Sequence, residues 1–303
     1  MPRELKIAIP DEKLTAADVV GRAIRIARLN WLVLIRFFLI PTFLSDLAAT
    51  ILVWEPESID PNFSPTIGYW LRAIAFILIG VTTWELGVRR FALLLFIADG
   101  TVSLEESLKI AKKKIWLILI LIIPVMITEI GTGFFFLLMQ FVINATHHST
   151  MPEPVHVYFF LFMMFLMFAL MLPTLSVWVV NSFFLSILVF ENANLKETIS
   201  RFFRLGSPKF TYFCAYTTLM AWAYVSVFFP SIVTASISFF LPTSIVSSIF
   251  DFILTAAIET PIYCFLTAAV TIGGACVYKQ LCAQLEAQDI LDKLKAGATR
   301  QVV

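Results

Sequence analysis

Long apolar stretches alternate with polar segments along the chain, at a spacing that suits membrane crossings. Six apolar runs cover 31–53, 69–88, 115–141, 157–190, 210–230 and 251–277. A helix crosses the hydrocarbon with about 20 apolar residues, so each run is a candidate span. The polar segments sort by charge. Segments 54–68, 142–156 and 231–250 contain no Lys or Arg, whereas 1–30, 89–114, 191–209 and 278–303 hold 20 of the 22. Basic segments stay cytoplasmic, so both termini are expected inside. The fourth run is long: as one helix its 34 residues would extend about 51 Å against roughly 30 Å of hydrocarbon. Splitting it at Pro173 would put Lys196, Arg201, Arg204 and Lys209 outside. One long helix kinked at Pro173 is therefore the expectation. The outer segment 231–250 is itself apolar and is expected to lie in the interface or to re-enter.

The polar segments before the odd spans share a second pattern. "TAADVV" (Thr15–Val20), "SLEESL" (Ser103–Leu108) and "NLKETI" (Asn194–Ile199) each place a capping residue three positions before an acid. The cap side chain accepts an orphan backbone N–H of the first helical turn, and the acid reaches back to the cap. Each predicted helix is amphipathic and basic. Arg22, Arg25 and Arg28 share a face in the first, Lys109, Lys112 and Lys113 in the second, and Arg201 and Arg204 in the third. Such helices lie in the headgroup plane with basic groups toward anionic lipid, or else pack on the protein's own cytoplasmic face.

The predicted fold is thus all-α and polytopic: six transmembrane helices, built as three repeats of an interfacial helix followed by a transmembrane hairpin. As one membrane domain over 1–303, it divides into a flexible N-terminus (1–13), repeats at 14–98, 99–190 and 191–280, and a cytoplasmic C-terminal helix and tail (281–303). Pro41 and Asp46 recur at the same spacing as Pro124 and Glu129, while the third copy has Pro230 and then Ala235. Leu281, Leu285, Leu291 and Leu294 give the C-terminal stretch an apolar stripe, for folding back or for docking a protein partner.

Composition strengthens the membrane reading. The chain is 59% hydrophobic and 14% charged, with mean hydropathy +0.88, against roughly 25% charged residues in soluble chains. The polar first 30 residues do not fit a cleaved signal peptide. Cys214, Cys264, Cys276 and Cys282 show no CxxC spacing and read as reduced packing residues. No basic patch interleaved with aromatics points to nucleic acid.

Charges within the runs are the candidate chemistry. Counted from the first hairpin's turn, Asp46 matches Arg72 in depth and Arg36 matches Glu85, so two cross pairs are expected between spans 1 and 2. A lone charge at a helix centre costs about 2.5–3.5 kcal/mol on insertion scales, which pairing offsets; Arg36 has the alternative of snorkelling inward. Glu129 and Glu259 have no basic partner within a span, and Pro261 follows Glu259. They are either functional carboxyls or protonated acids bonded to a carbonyl. The outer segment holding His147, His148, Glu153 and His156 matches no zinc signature and reads as a solvated loop; Asn144-Ala145-Thr146 fits a glycosylation sequon. No metal or cofactor is indicated.

The six spans, the capped basic helices before odd spans and the C-terminal "ACVYKQLCAQLE" together resemble the membrane domain attached to some bacterial glycerophosphodiester phosphodiesterases, and related six-span bacterial proteins. The resemblance implies an integral module of the bacterial inner membrane. It does not carry the hydrolase activity, which resides in a separate soluble barrel, and no segment here is long and polar enough to form one. No GxSxG, Walker, HExxH or GxGxxG motif stands in a meaningful context. The leading expectation is a non-enzymatic scaffold, regulatory or lipid-engaging module. The alternatives are a small secondary transporter using Glu129 and Glu259, and a membrane enzyme using the outer histidines.

Overall fold

The computed structural model describes residues 14–53, 64–114, 116–120, 122–128, 176–207, 209–223 and 259–300, with residues 131, 158, 162 and 257. Among the described residues every regular element is helical. In chain order these are α1 (Ala16–Leu29), α2 (Trp31–Val53), α3 (Pro65–Asp99), α4 (Leu104–Lys113), α5 (Trp116–Thr128), α6 (Ser176–Phe190), α7 (Leu195–Gly206), α8 (210–223) and α9 (Thr260–Arg300). The expected Glu129, Pro173, the outer segments 142–156 and 231–250, and most of 54–68 lie outside the described residues.

Among the described residues, three helices are long and apolar enough to cross a membrane: Trp31–Leu52 within α2, Thr66–Asp99 within α3 and Thr260–Leu285 within α9. α6 and α7 meet at 116° and count as a fourth only if the bent pair is one broken span. The surface agrees with a lipid setting. α3 exposes Ile67, Ile74, Phe76, Ile77 and Val81, and α2 exposes Leu39 and Ile40. Large apolar side chains exposed in this number suit a face that contacts membrane or another protein. Tyr69 and Trp70 are exposed at the start of α3, and Trp31 and Trp116 at the starts of α2 and α5, where amphipathic rings suit the headgroup level. Helix length, composition and surface together point to a membrane protein.

Local chemistry sets the helix boundaries. All three expected caps are present. Asp18 N–H donates to Thr15 Oγ1 at 3.2 Å, Glu106 N–H to Ser103 Oγ at 3.2 Å and Glu197 N–H to Asn194 Oδ1 at 2.9 Å. Each acid accepts in return from its cap's backbone N–H, at 3.0, 3.2 and 3.0 Å respectively. Between α1 and α2 only Asn30 interrupts the helix, and its side chain donates to Ile26 O at 2.9 Å. α3 departs from the expected span. It continues through Arg89 and Arg90 to Asp99 and stops at Gly100, whose φ of 65° is the left-handed conformation glycine adopts without Cβ strain. Two arginines assigned by charge sorting to a cytoplasmic loop therefore lie inside a helix.

α9 is the central element. In its most apolar window 78% of positions are buried, against 28% for α2 and 33% for α3. α1, α2, α3 and α7 all pack on it. α1 turns Ala16, Val19, Val20, Ala23, Ile26 and Ala27 into the core, so its apolar face is covered by protein. α9 also runs unbroken from the last span to Arg300, so the expected C-terminal helix is its continuation.

Candidate functional site

Three groups of polar side chains stand out. The first is the set of basic groups carried by the capped helices α1, α4 and α7, termed the collar. Arg25, Arg28, Lys109, Lys112, Lys113 and Arg204 are exposed on it. Two expected lipid-facing bases are used differently. Arg22 is half-buried, and its Nη1 is shut from solvent with no hydrogen-bond partner among the described residues. Arg201 pairs with Glu191 at 2.7 Å. Burial works against the Arg201 charge, but the hydrogen bond and charge of Glu191 outweigh it and hold the guanidinium above its ordinary value. Glu191 also accepts from Tyr278 Oη of α9 at 2.9 Å, and Lys114 Nζ donates to Asn192 Oδ1 at 2.9 Å. Phe190 stacks on Tyr278. These contacts fasten the α4–α5 junction, the α6–α7 bend and α9 together. At the start of α1, the Thr15 hydroxyl, helped by its backbone N–H, holds the Asp18 carboxyl below the usual carboxylate range. Beside α4 a shallow depression of about 360 Å³ is lined by Val102, Glu106, Lys109 and Ile110.

The second group holds the two arginines of α3. Pro41 lies inside α2 and has no N–H, so it leaves the carbonyl of Phe37 without its helical donor. Arg89 Nη1 donates to that carbonyl. Its Nε is 3.0 Å from Glu85 Oε1, and its guanidinium lies 5.4 Å from the centre of the Phe37 ring. Glu85 therefore pairs one turn along its own helix rather than with Arg36, which is exposed on α2. Spacing of i and i+4 brings the two groups together without any cross-hairpin register, and this is why the depth argument misassigned the partner.

Arg90 points into the bundle and is 2% exposed. It donates to Trp178 O at 3.0 Å, to Thr271 Oγ1 at 3.3 Å and to Ser182 Oγ, and lies 4.7 Å from the Trp178 ring centre. Gly274 makes this convergence of α3, α6 and α9 possible. A Cβ there would stand 2.9 Å from the Ser182 backbone. For Arg90 the sequence signal was that "RRFALLLFIADG" remains apolar beyond the arginines as far as a glycine stop.

The third group lies between α2 and α9. Asp46 Oδ2 accepts from Thr260 Oγ1 at 2.7 Å, a bond across 214 positions of sequence. The Glu259 carboxyl lies within electrostatic range of Asp46. Asp46 thus finds its hydrogen bond on α9, where span-1 to span-2 pairing had been expected; Arg72, its depth match, is half-buried on α3. Thr42 precedes Asp46 by one turn and is 3% exposed, and its hydroxyl has no nitrogen or oxygen partner among the described residues. Cys264, one turn after Thr260, lies beside Thr42 and offers it only a weakly bonding thiol. The cysteines described are free thiols. No family model matches the chain, and no curated protein or solved structure matches it either.

Proposed function

We propose that the chain is a non-enzymatic integral membrane module whose cytoplasmic collar engages anionic lipid headgroups and scaffolds or regulates a protein partner through the C-terminal part of α9. In this reading the full architecture is six spans in three repeats, with both termini cytoplasmic in a bacterial inner membrane. Its likeness to the membrane domain of glycerophosphodiester phosphodiesterases is one of module, not of catalysis.

The observation that carries the reading is the way the collar helices divide their faces. α1 and α4 bury small or apolar residues (Val19, Ala23, Ser107, Ala111) and leave Arg25, Arg28, Lys109, Lys112 and Lys113 outward. Each basic group near an anionic surface contributes about 1 kcal/mol of attraction. Arg22 and Arg201 have inward roles, so they are excluded from the lipid-facing set. The test is binding of phosphatidylglycerol against phosphatidylcholine to the detergent-purified protein. Changing Arg25, Arg28, Lys109, Lys112 and Lys113 to Gln should remove the preference for the anionic lipid while the fold is retained. An unchanged preference refutes the lipid role.

One feature favours secondary transport as a second reading: the Glu259 carboxyl lies within electrostatic range of Asp46. Proton flux in proteoliposomes that persists unchanged in Glu259→Gln would remove Glu259 from that role.

A further inference from the structure

Within the apolar body, the contact between α2 and α9 gathers oxygen atoms. Asp46 supplies a carboxylate and Thr260 a hydroxyl, 2.7 Å apart. Glu259 supplies a second carboxyl within electrostatic range. A hydrogen-bonded pair of this kind, even with a second acid, is common in packed helices and by itself identifies no ligand. Thr42 adds the independent observation.

Threonines in these helices normally settle their hydroxyls on a backbone carbonyl of the preceding turn. Thr50 donates to Asp46 O, Thr82 to Leu78 O, Thr217 to Phe213 O and Thr271 to Thr267 O. This local bond is available to a helical threonine at almost no cost. Thr42 does not make it, although it is only 3% exposed, and its oxygen has no nitrogen or oxygen partner among the described residues. The Cys264 thiol of α9 lies beside it, but a thiol is a weak donor and a weak acceptor. Leaving a buried hydroxyl so poorly satisfied is costly, and such a group calls for an explanation. It stands one turn from Asp46 on the same side of α2.

Oxygen donors suit hard cations. With two carboxyls and two hydroxyls, the donor set suits a monovalent ion better than a multicarboxylate divalent site. The nearby charged pair, Arg89 with Glu85, is satisfied within itself and by Phe37 O, so it does not replace a cation at Asp46.

We propose that Asp46, Thr42, Thr260 and Glu259 form a binding site for a sodium-class monovalent cation between α2 and α9. The site depends on neither the lipid reading nor on transport. An ion bound only by the folded chain raises its stability with concentration. The experiment follows the thermal unfolding midpoint of the purified chain in uncharged detergent, with NaCl exchanged against choline chloride at constant ionic strength. The midpoint should climb with Na+ in the unaltered protein and be flat in Asp46→Asn.

Thr42→Val is the decisive variant, because valine fills the same volume and removes the poorly satisfied oxygen. It should fold at least as well without Na+, yet need about tenfold more Na+ for the same rise. If Asp46→Asn does not fold, Thr42→Val alone decides between a site and none. An identical Na+ response in Thr42→Val overturns the site, as does an equal effect of choline. Stabilisation by acid with no response to Na+ also overturns it, in favour of two carboxyls sharing a proton. Loss of anionic-lipid preference in the collar variants would leave the Na+ response unchanged, so the two readings fail separately.

Discussion

Pro41 and Arg89 are far apart in the chain but act on the same carbonyl, and this can be measured. Pro41 removes the amide that would bond Phe37 O; Arg89 supplies a replacement donor from α3. A hydrogen bond from a charged donor contributes about 1.5–3 kcal/mol, and a neutral one about 1 kcal/mol. Replacing Arg89 alone would strand the Glu85 carboxylate, so the cycle is run with Glu85→Gln throughout. In that background Arg89→Met should cost about 2–3 kcal/mol, including about 0.5–1 kcal/mol for the cation over the Phe37 ring. With Pro41→Ala added, the restored amide takes over the carbonyl, and the same substitution should cost about 1 kcal/mol less. The ring contribution is lost in both backgrounds and cancels. Unfolding in mixed micelles, titrated with SDS and followed by circular dichroism, gives the four free energies. Independent sites add to within about 0.3–0.5 kcal/mol. A coupling inside that limit would refute the claim that Arg89 compensates for the proline.

Other consequences are simpler. The Asp18 carboxyl is held below its ordinary value of 3.8, first by the Thr15 hydroxyl. Its contribution to stability is therefore present above that pH and lost as pH falls through the folded value. Amide exchange at the start of α1 should speed up below about pH 4 in the unaltered chain, and this acid dependence should vanish in Asp18→Asn. Gly274→Ala places a Cβ 2.9 Å from Ser182 and should lower stability by about 1–3 kcal/mol through overpacking. Gly21→Ala meets nothing within 4 Å at an exposed position of α1 and should raise stability by about 0.4–1 kcal/mol. One pair of thermal melts checks both.

What the sequence revealed follows the range of the interactions. The three capping boxes were legible because each closes over four consecutive residues. The boundaries of α2 agree with its apolar run for the same reason. α3 runs on past its expected span because Arg89 and Arg90 find partners on other helices and do not end the helix. Nothing local to Asp46 names Thr260, which is 214 residues away, and depth matching along one hairpin could not find a third helix. The i,i+4 spacing of Glu85 and Arg89 was visible and is the stronger rule at that range. Thr42 carried no signal of its own, since an apolar run tolerates a threonine that bonds its own backbone.

The burial of Arg90 also constrains how the protein is made. Its carbonyl and hydroxyl acceptors on α6 come 88 and 92 residues after it, and Thr271 comes 181 residues after it. Synthesis runs from the N-terminus, so α3 reaches the bilayer before any of the three has been translated. Until then the guanidinium lacks every one of these acceptors, and the last of them arrives only with α9. Biogenesis thus ends with the seating of an early residue by a late one, and a ribosome stalled before α9 should leave position 90 open to water-borne reagents.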